Sequence, residues 1–202
     1  MSDALREASV SAPPAAVALR RVRLLRAVVL LGSGFAIAFT APLHEQVAFV
    51  RWSIVASLVL IGFATVAEYA VLRSAAGSWP VALRALVAFA AAAGLILAPN
   101  VETIAVLIAV WAAINAAIAV LRLARGSQPR SVGVPSALLS GALAVTALIF
   151  RSDPVAVVGL FGAYAVVRGV FLGISAFDAR VPVAEATAGE RAGTIDGQPT
   201  AI

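Results

Sequence analysis

Few residues in this 202-residue chain can do chemistry, and their positions decide which chemistry is open to them. Glu68 and Arg168 are the two charges that fall inside long apolar stretches. A charge at mid-bilayer depth costs about 2.5–3.5 kcal/mol on insertion scales, so each marks a functional position by default. Arg168 is the deeper, fourteen residues after Pro154, and Glu68 lies five residues before Arg73. Two readings follow. In one, Glu68 and Arg168 pair across a helix bundle and tie the first part of the chain to the last. In the other, Glu68 reaches an aqueous interface and Arg168 faces a small wet cavity. Asn115, central in its own apolar stretch, can hydrogen-bond a neighbouring helix, worth about 0.6 kcal/mol on average, or contact a substrate; packing is the simpler role.

The single histidine, His44, falls in a turn region, as do Glu45, Glu102 and Asp153. Histidine is the side chain best placed to titrate as its surroundings acidify. These four are therefore candidates for pH sensing, with ordinary loop residues as the alternative. One histidine and carboxylates from three separate turns give no metal-ligand spacing, so no metal site is expected. Cysteine and lysine are both absent. That removes thiolate chemistry and disulfides, and with the one histidine in a turn it leaves no histidine or lysine base within the apolar stretches to activate a serine. No catalytic residue, enzyme activity or cofactor is expected.

The elements that must position these residues are set by the solvent. Mean hydropathy is +1.01, with 62% hydrophobic and only 12% charged residues, against about a quarter charged in soluble domains. Six apolar stretches, about 24–41, 47–72, 81–98, 102–123, 134–150 and 154–177, are each near the length of a bilayer crossing. Eighteen helical residues span about 27 Å, close to the hydrocarbon thickness. The fifth stretch is short and the second long, so tilt or local thinning is expected there. A signal-peptide reading of the first stretch fails on Pro42, which stands where cleavage would occur. The predicted fold is an all-α integral membrane bundle of six transmembrane helices, spanning residues 20–180. Residues 1–19 and 181–202, rich in Ala, Ser, Pro, Gly and Thr, read as disordered cytoplasmic tails.

All fifteen basic residues are arginine, and the sequence pI is near 11.2. Nucleic-acid binding is rejected, because the arginines sit at span ends without aromatic interleaving. Twelve lie on the side of the N-terminus and two, Arg51 and Arg151, on the other. By the positive-inside rule both termini are cytoplasmic, in a bacterial cytoplasmic (inner) membrane. Trp52 and Trp79 fall near opposite interfaces as aromatic anchors, and Trp111 lies deeper, where it packs.

The stretches also repeat. Odd ones end in proline-bearing outer turns: Ala41-Pro42-Leu43-His44-Glu45, Ala98-Pro99-Asn100-Val101-Glu102 and Arg151-Ser152-Asp153-Pro154. The prolines are 57 and 55 residues apart. Even stretches one and two return through Val71-Leu72-Arg73 and Val120-Leu121-Arg122, and Arg26 and Arg84 precede their prolines by 16 and 15 residues, where the third repeat has Leu138. The unit is one helical hairpin, and three in tandem (about 20–78, 79–130 and 131–180) make the domain. An arginine before the odd span, a Gly-rich odd span, an Ala-Pro turn and an even span ending in Leu-Arg resemble the HdeD-like family. These are small bacterial inner-membrane proteins linked to acid resistance and built from a short tandem repeat. The resemblance covers about residues 20–180 and implies a multi-pass cell-membrane location with a role in stress response. It supplies no catalytic residues. The third repeat departs from the pattern at Leu138 and Arg151.

Small residues at Gly32, Gly34, Gly94, Gly169 and Gly173 are candidate helix-packing positions. Packing within the chain is one reading; a homo-oligomer seam, best placed at Gly169 and Gly173, is the other. Beyond the lipid bilayer no partner or substrate is legible. The functional expectation is a non-enzymatic membrane protein contributing to acid or envelope stress resistance. The alternative is a small proton-coupled transporter or channel using Glu68, the only carboxylate inside a span.

Overall fold

The computed structural model describes residues 14–73 and 78–178. Six α-helices account for nearly all of them: α1 (Pro14–Phe39), α2 (Val47–Leu72), α3 (Trp79–Ile96), α4 (Val101–Ala124), α5 (Arg130–Ile149) and α6 (Pro154–Asp178). All six are long and apolar enough to cross a membrane, and the described residues contain no strand. The chain is an all-α, six-span membrane protein.

Two boundaries differ from the sequence reading. Residues 14–19, expected in a disordered tail, form the first turns of α1. Pro14 opens the helix, where its missing N–H costs nothing, and Ala15, Ala16, Ala18 and Leu19 are strong helix formers. Helix α5 begins at Arg130, a turn before the apolar run, and carries Pro135 within it. This makes α3, with 18 residues, the shortest span. The remainder of the expected tails, residues 1–13 and 179–202, lies outside the described residues.

The turns follow from local chemistry. Residues Ala41–Leu43 form a 3₁₀ turn around Pro42. Asn100 caps α4 by accepting from the Thr103 backbone N–H at 2.9 Å. Asp153 does the same for α6 through the Ala156 N–H at 3.0 Å. Each satisfies a donor that the start of a helix leaves free. At the other end of α4, Gly126 has φ +64. The Ser127 N–H reaches the Arg122 carbonyl at 3.0 Å and the Gly126 N–H reaches Leu123 at 3.0 Å. This is a Schellman closure, which favours glycine at the left-handed position.

The helices form a closed ring in chain order, with α6 returning to α1. The most extensive contacts are α1 on α6, α4 on α5 and α2 on α3. The pairs joined by the proline turns touch less. The repeat unit in sequence is thus the hairpin, while the tightest packing lies between units. Arg20 sits 4.8 Å over the Phe177 ring, which puts the start of α1 beside the end of α6.

The α1–α6 seam depends on glycine. A Cβ at Gly34 would stand 2.5 Å from Val166 Cγ2 and 2.8 Å from the Gly162 carbonyl oxygen. One at Gly169 would stand 3.0 Å from the Leu31 nitrogen and 3.1 Å from the Ala27 oxygen. A Cβ at Gly94 would press on Leu107 Cδ2 at 3.3 Å, one at Gly173 would make only an ordinary contact, and one at Gly32 would meet nothing within 4 Å. Gly32 opens instead onto an apolar groove of about 320 Å³ between α1 and α2. Gly62, Gly133 and Gly162, not singled out from the sequence, are also tightly packed, under Phe89, Leu123 and Ile37 respectively.

Along the ring axis the core divides in two. The half nearer the proline turns is filled by fully buried apolar side chains, among them Ile54, Leu58, Leu95, Ile104, Ile108, Val157 and Phe161. The half nearer the chain ends carries the buried charges.

Candidate functional site: a buried arginine cluster

Four helices send charged side chains into that polar half. Arg26 of α1, Glu68 of α2, Arg84 of α3 and Arg168 of α6 are all at least nine-tenths buried. Their positions along the helices explain the shared depth. Arg26 is thirteen residues before the end of α1 and Arg168 fourteen after the start of α6, so each is about 20 Å from the proline-turn end. Asn115, fourteen residues into α4, lies at the same level.

Glu68 pairs with Arg26, whose Nη1 donates to Oε2 at 2.7 Å. The expected Glu68–Arg168 pair is therefore corrected: the carboxylate joins the two helices of the first repeat. Arg168 instead donates through Nη1 to Ser140 Oγ at 3.0 Å and lies 5.5 Å from the Tyr164 ring centroid. Ser140 and Tyr164 hydroxyls are 3.3 Å apart. Arg168 is held by neutral dipoles and a π face, contacts that orient a guanidinium without cancelling its charge.

Arg84 has less. Its Nε and Nη2 are buried with no hydrogen-bond partner, as are Arg26 Nε and Trp111 Nε1. Arg84 also feels the charges of Arg168, Arg26 and Arg122. Three guanidiniums and one carboxylate leave a surplus of two positive charges, since arginine cannot shed its proton in a protein. Arg26, Arg84, Trp111, Asn115, Tyr164 and Arg168 line a cavity of about 10 Å³ at the centre of the cluster. That is the room a single water-sized occupant needs.

Asn115 donates to the Trp111 carbonyl of its own helix at 2.9 Å. Its expected role across helices is thus replaced by a bond within α4, although it lines the cavity. Trp111 packs against Phe161 and Tyr164 at centroid distances of 5.9 and 5.7 Å. Trp52 and Trp79 are exposed on the bundle surface.

The four turn residues singled out for pH sensing do not assemble. His44 is buried, 6.3 Å from the Phe49 ring. Glu45 is exposed, Glu102 accepts from Ser152 Oγ at 3.4 Å, and Asp153 caps α6. Among the described residues, Arg26–Glu68 is the one ion pair within 4 Å, and no His, Cys, Asp and Glu group has the spacing for a metal ion.

Arg26 and Arg84 were counted in the sequence as orienting charges at the membrane surface. Their signal was present all the same: both stand at one repeat-equivalent position, and a repeated arginine repeats its environment. No protein-family model, curated protein or solved structure matches the chain significantly.

Proposed function

We propose that this is a non-enzymatic multi-pass protein of the bacterial cytoplasmic membrane, of the HdeD-like type, with both termini inside and a role in envelope resistance to acid stress. The observation that carries the non-transport part is the filled outer half of the ring axis. Ile54, Leu58, Leu95, Ile104, Ile108 and Phe161 are each completely buried there, so apolar side chains fill the space between the polar half and the proline turns. The transporter reading needs a carboxylate free to take up and release a proton. Glu68 is held by Arg26 at 2.7 Å, and its other charged neighbours are also arginines.

The non-enzymatic reading rests on the cluster chemistry. Ser140 is buried against Arg168 and Tyr164, and neither is a base that would take its proton at neutral pH. The orientation rests on arginine asymmetry, which survives when Arg26 and Arg84 are moved to the core: ten remain on the terminal side against two. The stress role rests on the repeat resemblance.

Two measurements test the proposal together. Proteoliposomes with an imposed pH gradient should leak no faster than empty vesicles. Cells lacking the chain should survive acid shock less well, with rescue by the wild type. Proton flux that vanishes in Glu68→Gln would transfer the assignment to the transporter class, and equal survival would remove the stress role.

A further inference from the structure

We infer that the cavity beside Arg84 binds one small monoatomic anion of the chloride type. The claim is independent of any stress role and rests on charge, donors and size. Charge comes first. Arg26, Arg84 and Arg168 bring three positive charges to the buried cluster, against one negative charge from Glu68. Leaving a charge buried and unpaired is among the costlier things a fold can do. The rest of the lining supplies no second negative group: Thr65, Asn115, Tyr164 and Trp111 are neutral.

The fully buried polar atoms left without a partner beside the cavity have one sign as well, and the amide oxygen of Asn115, an acceptor there, carries no charge. Arg84 Nε, Arg84 Nη2, Arg26 Nε and Trp111 Nε1 are donors, all buried and all without an acceptor. They belong to three helices, α3, α1 and α4, whose side chains line the same cavity. Thr65 has already given its proton to the Ile61 carbonyl at 2.7 Å, and Asn115 has given one of its own to Trp111. An acceptor bearing negative charge meets both needs, whereas a water molecule satisfies the donors and leaves the charge.

Size selects the class. A space of about 10 Å³ admits one water-sized particle, and a monoatomic anion is the charged species nearest that size. A phosphate or a carboxylate-bearing metabolite is too large, and a lipid headgroup is further excluded because the site lies inside the six-helix ring.

The test uses the full chain purified in detergent, with radiolabelled chloride in equilibrium dialysis at constant ionic strength set by gluconate. The wild type should bind chloride saturably, one ion per chain. Arg84→Gln should weaken binding at least about tenfold, the loss of charge-assisted hydrogen bonds. Arg73→Gln, an equal change of charge at an exposed position, should bind as the wild type does. Trp111→Phe removes one donor without altering charge, and should weaken binding even if Arg84→Gln fails to fold. No saturable binding by the wild type, or unchanged affinity in both Arg84→Gln and Trp111→Phe, overturns the inference.

Discussion

Neutralising Glu68 should damage the protein more than neutralising its partner. At 2.7 Å, with an effective dielectric constant of about 20, the Coulomb attraction of the Arg26–Glu68 pair is about 6 kcal/mol before desolvation. Removing one member of a buried pair usually costs about 3–5 kcal/mol, because the other is stranded. If the pair stood alone, Glu68→Gln and Arg26→Gln would cost about the same. It does not stand alone. Glu68→Gln raises the positive surplus of the cluster from two to three, whereas Arg26→Gln lowers it to one and leaves Glu68 facing Arg84 and Arg168. Glu68→Gln should therefore lose the full 3–5 kcal/mol or more, and Arg26→Gln should lose at least about 1 kcal/mol less. Reversible unfolding in mixed detergent micelles, at one fixed salt, reads both. Equal losses, or a Glu68→Gln variant within about 0.5 kcal/mol of wild type, the range of surface changes, would refute the reasoning.

The seam between first and last helices gives a second contrast. Gly34→Ala should destabilise by about 1–3 kcal/mol, because the new methyl meets backbone and Val166, while Gly32→Ala, facing open space, should be neutral or gain up to about 1 kcal/mol of helix stability; the same unfolding assay compares them. Gly126→Ala places a side chain at φ +64 and should cost about 1 kcal/mol, with Gly126→Asn nearer to wild type, as measured by thermal aggregation in detergent. Arg51→Ala removes the bond from Arg51 Nη1 to the Ala98 carbonyl at 3.1 Å, which ties α2 to the second proline turn. It should cost about 1.5–3 kcal/mol at most and raise hydrogen exchange in residues 97–101.

The number and placement of the spans were legible because bilayer thickness fixes helix length, and almost no charge interrupts the apolar runs. The proline turns and the caps at Asn100 and Asp153 follow from short-range chemistry, so they too can be read locally. Side-chain pairing was not. Glu68 could meet an arginine on any neighbouring helix, and only ring order decides that Arg26 is nearer than Arg168. The clearest lesson is in Arg26 and Arg84. Hydropathy treats an arginine six residues into a helix, as Arg84 is in α3, as an interface residue. The ring closes around it, and its long apolar stem carries the guanidinium inward. The glycines show the same limit: Gly32 and Gly34 differ by two residues in sequence, yet only Gly34 faces α6.

Because the chain has no cysteine, single cysteines placed in its turns can test the six-span bundle directly. Ser152→Cys and Glu45→Cys mark the proline-turn side, and Ser127→Cys marks the side of the chain ends. With a membrane-impermeant maleimide on intact cells, Ser152→Cys and Glu45→Cys should label, and Ser127→Cys should label only after the membrane is opened. Labelling of Ser127→Cys together with either of the others in intact cells would contradict the account.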